Sequence, residues 1–349
     1  MAKPTIPEVI AYQADVCAQS GSQLYARVLE GVRADLEAGG PCATVLRGHE
    51  GDSFGSALAL RLLGAVHRIV LDGRAPALAA CYPSAGGDPA AGDPAAAFVA
   101  TVREHGEEVA RRLEDGVQTN EVGRSALLVG GFAEVTRRTG LPLRVLEVGA
   151  SAGLNLRWDH YAYDTGAGVS GDPDSPVRFA GVWDGAPPVL PGSFEGLVVE
   201  RRGCDRNPLD PTTDEGHRTL AAYVWPDQLE RFERLRGAVE VASRVPATVV
   251  QADAIEWLEE ALAEPATGVA TVVVHSIVLQ YLPAERRPLL GRTITAAGER
   301  ATPGAPLAWL RMEPAGGKAE LRLTTWPAGE ERLLATSGFH GHPIRWLAA

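Results

Sequence analysis

The 349-residue sequence has little that would tie it to a membrane, to nucleic acid or to an oxidising compartment. Its four cysteines, Cys17, Cys42, Cys81 and Cys204, are scattered without a C-x-x-C spacing. That excludes a clustered zinc site and a disulfide framework, and reads as a reduced, cytosolic set. Positive charge is in deficit: 33 Lys and Arg stand against 44 Asp and Glu, a net charge of -11. No net field attracts phosphate, so no nucleic-acid partner is expected. The pairs Arg111-Arg112 and Arg201-Arg202 could serve a small anionic ligand, and read first as solvated surface charge. Lysine is nearly absent (Lys3 and Lys318) while alanine, glycine and arginine abound, a pattern of coding bias rather than mechanism. The segment Met1-Ala2-Lys3-Pro4-Thr5-Ile6-Pro7 lacks an apolar signal core, and no run approaches the roughly 18 apolar residues of a membrane span. A cytoplasmic protein without a membrane partner is expected. His340-Gly341-His342 offers two metal ligands, but Pro343 follows and no carboxylate cluster lies nearby, so no metal is expected.

Neither a repeat nor a strand signal precedes residue 125. Val9, Tyr12, Val16, Leu24, Tyr25, Val28, Val32 and Leu36 recur at three- and four-residue spacing, which predicts helix from Ile6 to about Ala38, stopped by Gly39-Gly40-Pro41. Helices are also expected over Ser56 to Leu71 and Phe98 to Leu113, with an exposed loop over Pro83 to Pro94. Residues 1–125 therefore read as an all-helical domain. The polar run Val117 to Ser125 ends it. Its two readings are a capped helix start, with Thr119 or Asn120 as the cap, and the edge of a lid, with Asn120 and Arg124 reaching a ligand.

After a helix over Ala126 to Thr139 the pattern switches to strands alternating with helices, which implies an α/β fold with a mostly parallel sheet. Seven strands are expected. Those ending at Gly149, Glu200 and Gln251 come first, and the apolar, β-branched Ala270 to Val274 follows as a strand buried on both faces. Pro306 to Met312 is the fifth, and Ala319 to Thr325 with Ile344 to Leu347 form an antiparallel C-terminal edge. A helix is expected over Asp214 to Val241 and another over Ile255 to Leu262. This second domain, 126–349, carries a Gly, Pro and Asp-rich insertion at about 164–196, read as irregular.

The chain is organised around Leu143 to Leu156, a short apolar strand breaking at Gly149 and Gly153 before helical character resumes. Such a turn lets backbone approach a ligand closely and aims N–H groups at it. In open α/β sheets ligands sit beyond the carboxyl ends of the strands. Those ends carry Gly149, Ser151 and Gly153, then Asp205, Asp253 and His275. A nucleoside cofactor needs a glycine turn, a carboxylate for the ribose hydroxyls and a polar group for the adenine amino group. The same pentapeptide, Gly149-Ala150-Ser151-Ala152-Gly153, also fits a G-x-S-x-G nucleophile elbow.

The run Glu147-Val148-Gly149-Ala150-Ser151-Ala152-Gly153 resembles motif I of class I S-adenosylmethionine-dependent methyltransferases. The resemblance spans about Ala126 to Ala349 and implies a Rossmann-like sheet. It implies that Glu147 and the turn, with Gly149, Ser151, Gly153 and Asn155, face the methionine part of S-adenosylmethionine. Asp205, in Gly203-Cys204-Asp205, is similar to the family's ribose-binding acid, and Asp253-Ala254 to its adenine-contacting position. Two departures are visible. Ser151 replaces the usual middle glycine. Asp205 lies about 50 residues past the turn where about 20 is usual, the insertion making up the difference. The whole chain also looks like a bacterial family of unknown function through Gln118 to Ser125, Glu147 to Leu156, and Val224-Trp225-Pro226-Asp227-Gln228 followed by Glu230-Arg231.

The expectation is methyl transfer to a small-molecule acceptor. His275 is the first candidate for a general base, with Tyr281 and Glu313 as second choices, and Asn120 and Arg124 on the acceptor side. The helical domain is expected to close the pocket. The alternatives are a serine hydrolase, with Ser151 as nucleophile, Asp253 as acid and His340 or His342 as base, and a Rossmann-like module that binds without transfer. Against the hydrolase stand the helical segment where strands should precede an elbow, the acidic Glu147 in the strand, and the lack of a His-Gly-Gly-Gly-type loop.

Overall fold

In the computed structural model, which describes residues 4–52 and 56–348, the chain divides into two units. Met1–Lys3 lie outside the described residues, and with them part of the segment read for a signal core. One unit comprises Met1–Thr119 with Thr213–Glu233, the other Asn120–Thr212 with Arg234–Ala349.

The first unit is helical among its described residues. Its opening helix, Ile6–Gln19, starts on a capping box: Glu8 N donates to Thr5 Oγ1, and Thr5 N donates to the Glu8 carboxylate. The apolar spacing from Ile6 to Ala38 predicts one helix, and the structure makes two. Gly21 takes φ 87°, and Ser22 then caps a new helix over Gln23–Glu37. Caps and positive-φ glycines override periodicity because they redirect the backbone while leaving apolar spacing intact. Phe98 to Leu113 is likewise divided between Pro94–Glu104 and Gly106–Leu113, and Asp214 to Val241 breaks around Pro226 into Asp214–Ala222 and Leu229–Arg244. Tyr25, Val28, Leu29, Leu62, Val66, Phe98 and Trp225 fill the core of this unit.

The second unit holds eleven described strands: β1 Leu143–Val148, β2 Ala162–Asp164, β3 Val169–Gly171, β4 Arg178–Ala180, β5 Val198–Asp205, β6 Thr248–Gln251, β7 Ala270–Ser276, β8 Leu307–Ala315, β9 Lys318–Trp326, β10 Glu330–Ser337 and β11 Ile344–Trp346. Eight of them form one sheet in the order β11-β10-β9-β8-β7-β1-β5-β6. The seven strands expected become eight because β10 was not foreseen. It opens on Glu330-Glu331-Arg332, charged residues at its exposed end, and its apolar part, Leu333 to Ala335, is too short to announce it. In consequence β11 pairs antiparallel with β10, not with β9. The insertion is also more regular than its composition suggests. There β2, β3 and β4 form a small sheet whose Tyr163 and Phe179 stack, beside Trp158 stacked on Phe132 at 4.4 Å.

Strand pairing fixes where a site can be. β1 runs parallel to β5 on one side and to β7 on the other, and β5–β6 and β7–β8 are parallel too. From β1 the chain builds outward in one direction through β5 and β6, then returns to build the other way through β7 and β8. The order reverses at β1, and beyond the carboxyl ends of strands at such a reversal lies the ligand crevice of open α/β sheets. β7 is buried along its whole length, as a central strand covered on both faces should be. No described helix is long and apolar enough to cross a membrane.

Candidate functional site at the carboxyl edge of the sheet

β1 delivers Glu147 and then turns sharply. Gly149, Ser151 and Gly153 have φ of 69°, 51° and 66°. Glycine takes this region freely, whereas serine is there at a cost. The turn is held from below by β5: Gly149 N and Ala150 N both donate to Cys204 O, at 2.9 and 3.0 Å. It is close-packed on two sides. A Cβ on Gly149 would stand 2.6 Å from Val278 Cγ2, and one on Gly153 would stand 2.9 Å from Val249 Cγ2. On Gly203, in the neighbouring strand, a Cβ would meet Ala150 Cβ at 2.6 Å. Glycine is required at these points because backbone meets side chain directly.

Glu147 is 2% exposed, and its Oε2 has no hydrogen-bond partner among the described residues. Burial pushes its carboxyl up to about 8, against the pull of Arg124 and Arg157, so at neutral pH it is mostly protonated. Arg157 was not foreseen from sequence. Its Nη1 donates to Gly153 O at 2.7 Å and to Ala152 O at 3.3 Å, and its Nε donates to Val245 O, so a buried guanidinium braces the carbonyl side of the turn. Burial lowers its affinity for the proton.

Asp205, at the end of β5, does sit at the turn. Its Oδ2 accepts from Ser151 N and its Oδ1 from Asn207 N, each at 2.9 Å. It therefore organises the turn while each oxygen keeps a second lone pair. Asp253, after β6, caps the helix Ala254–Ala261 through Ile255 N and is paired with Arg286 Nη2 at 2.6 Å. Ala254 is the first residue of that helix. Arg286 had no local signal, since it lies 33 residues further along the chain.

The other sequence candidates divide between the turn and the end of β7. Asn120 Oδ1 accepts from Leu154 N at 2.9 Å. Asn155 is buried, accepting from Ser125 Oγ at 2.7 Å and donating to Glu121 O at 3.3 Å, so it ties the turn to the helix Ser125–Thr139. Arg124 donates to Ser276 O at 2.9 Å and to Phe339 O at 3.2 Å. His340 pairs with Glu121 at 3.1 Å. Ser151 is 5% exposed, and Asp253 engages Arg286 while His340 engages Glu121.

Past β7, Ile277 takes φ 55°. A β-branched residue there is a true outlier, and such strain concentrates where a ligand is clamped. The strain is held by His275 and Glu313. Glu313 Oε1 receives His275 Nδ1 at 2.7 Å, Val278 N at 3.0 Å and Leu279 N at 3.4 Å. His275 Nε2 in turn accepts from Trp309 Nε1 at 3.0 Å. Tyr281 lies outermost, 40% exposed. The structure thus brings Glu147, Gly149, Ser151, Gly153 and Asp205 to one turn, and places the His275–Glu313 pair under the loop that packs on Gly149.

Among the described residues no group of three or more His, Cys, Asp or Glu is arranged to hold a metal ion. A family model described as "Uncharacterized protein conserved in bacteria" (DUF2332) matches residues 8–346. No curated protein matches the chain.

Proposed function

We propose, for a chain that belongs to this family of uncharacterized proteins conserved in bacteria, that it binds S-adenosylmethionine at the end of β1 and transfers its methyl group to a small-molecule acceptor. The observation that carries the reading is the turn itself. A strand at the reversal point of a parallel sheet ends in a buried carboxyl with an open oxygen, followed by three positive-φ residues. On this reading the sheet is Rossmann-like, in the manner of class I methyltransferases, with β9, β10 and β11 added as an antiparallel edge.

The residues present fit such a ligand. Glu147 Oε2 is a buried polar atom without a protein partner, and groups of that kind are rare enough in folded proteins to call for a ligand or a water. It would meet the charged methionine end. Asp205 would accept the ribose hydroxyls on its remaining lone pairs, and the edge formed by Asp253 and Ala254 would meet the adenine. Bound there, the cofactor supplies an electrophilic methyl group. The protein's own contribution is orientation: Val278 and Val249 wall the turn on two sides. The hydrolase reading has less support, because Asp253 is committed to Arg286 and a helix cap, and His340 to Glu121.

Titration calorimetry with S-adenosylmethionine and S-adenosylhomocysteine tests the proposal. Both are expected to bind at one site, and Asp205→Asn to weaken them by roughly 1–3 kcal/mol as one half-buried acceptor becomes a donor. No heat at millimolar ligand overturns it, as does covalent labelling of Ser151 by a fluorophosphonate. Binding without transfer to any acceptor leaves the non-catalytic module.

A further inference from the structure

We infer that Glu313, through its Oε2, is the residue that meets the proton-bearing atom of the methyl acceptor, and that His275 and Trp309 are positioning residues that aim it. The inference rests on the transfer reading and adds to it the acceptor's chemical class.

The two oxygens of Glu313 are treated very differently by the fold. Oε1 takes three donors: the His275 ring and the backbone N–H groups of Val278 and Leu279. Oε2 is shielded from solvent and has no partner among the described residues. A carboxylate oxygen withheld from both water and protein is costly, and the cost is met here at the end of β8, beside the loop whose Val278 packs on Gly149. An oxygen so placed is poised for a donor brought by a ligand.

His275 is excluded from that task by its own hydrogen bonds. An indole N–H can only donate, so His275 Nε2 must be the bare nitrogen, and the ring proton is on Nδ1. That proton points at Glu313 Oε1. Both ring nitrogens are occupied, and the ring is completely buried. A histidine locked in one tautomer orients a carboxylate in the way a carboxylate more often orients a histidine. The charged and titratable groups flanking the pair are Arg311, stacked over Trp309 at 4.3 Å, and Tyr281, which feels both Glu313 and Arg124.

The acceptor is therefore one whose reacting atom carries a proton: an amine or a hydroxyl, not a thioether or a tertiary amine. As its nitrogen or oxygen lone pair forms the bond to the methyl carbon, the carbon–sulfur bond breaks with its electron pair left on sulfur. The acceptor's proton passes to Glu313 Oε2, giving the neutral acid, and the methylated acceptor and the neutral thioether leave.

A binding experiment reads this without knowing the acceptor. Sinefungin carries an ammonium where S-adenosylmethionine carries its sulfonium methyl, and S-adenosylhomocysteine carries neither charge. The wild type is expected to prefer sinefungin, and Glu313→Gln to reduce the sinefungin-to-S-adenosylhomocysteine affinity ratio by about tenfold while S-adenosylhomocysteine binding itself stays unchanged. Trp309→Phe leaves His275 Nε2 without its donor and so releases the ring that aims Glu313, and in that variant the sinefungin-to-S-adenosylhomocysteine ratio is expected to fall several-fold while S-adenosylhomocysteine binding stays unchanged. An unchanged ratio in Glu313→Gln with normal S-adenosylhomocysteine binding overturns the role of Glu313 and leaves the cofactor reading standing. Failure of the wild type to bind either ligand overturns both. If Glu313→Gln does not fold, a wild-type ratio in Trp309→Phe overturns the positioning argument.

Discussion

Gly149→Ala is expected to lower affinity for S-adenosylhomocysteine by at least an order of magnitude and to destabilise the fold. Two separate costs combine. An alanine at φ 69° pays for the left-handed backbone, roughly 1–2 kcal/mol. Its Cβ also lands 2.6 Å from Val278 Cγ2 and 3.2 Å from Cγ1. Overpacking of this kind costs about 1–3 kcal/mol in cores, and more where the neighbour cannot retreat. Val278 cannot easily retreat. Its N–H is held by Glu313, and the residue before it is already strained at φ 55°. Gly166→Ala is the control, since it pays the backbone cost at φ 81° with nothing within 4 Å of the added Cβ. Gly149→Ala with Val278→Ala should recover the contact part of the loss and not the backbone part. Denaturant unfolding of the four proteins, alongside calorimetry, separates the two. If Gly149→Ala behaves like Gly166→Ala, the turn is looser than described, and the packing argument fails.

The second large effect is a pH dependence set by Glu147. Its carboxyl goes from an ordinary 4.5 to about 8 on burial, so between those values the folded chain holds a proton that the unfolded chain has released. Stability from this group is complete below pH 4.5 and drains away as pH rises through 8, because the folded state must then bury a charge or lose structure. At 1.36 kcal/mol for each unit, the wild type should lose on the order of 4 kcal/mol relative to Glu147→Gln between pH 5 and pH 9. Glutamine keeps the shape and never ionises, so its curve lacks this slope. Urea midpoints of both proteins at pH 5, 7 and 9 read the difference. Parallel curves contradict it. The same reasoning gives binding a signature: a ligand ammonium at Glu147 would draw the proton off, so the heat of binding should vary with the ionisation enthalpy of the buffer.

Much of this arrangement was legible because it is local. The apolar run before Gly149, the β-branched run from Ala270 to Val274 and the acid ending β5 announce themselves within a few residues, and seven of the eight strands of the main sheet carry such a local signal. What escaped was either masked by charge or made by distant partners. β10 begins with three charged residues and is recognisable only once β9 is there to pair with it. The breaks at Gly21 and Pro226 are conformational events inside runs whose apolar spacing never falters. In the site, the residue types at the strand ends were readable, but their commitments were not. Trp309 fixes the tautomer of a histidine 34 residues away, Arg286 engages Asp253 across 33, and Arg124 reaches Ser276 across 152. That is why His275 looks like a base in the sequence and like a strut in the fold.

A structure of the protein with S-adenosylhomocysteine bound decides most directly what the bend after β1 is for. The ligand should lie along the turn from Gly149 to Gly153, with a donor on Glu147 Oε2 and the ribose against Asp205. A ligand seated elsewhere, or a turn still closed by Val278 and Val249 with Asp205 serving only Ser151 and Asn207, would show that this edge of the sheet has another purpose.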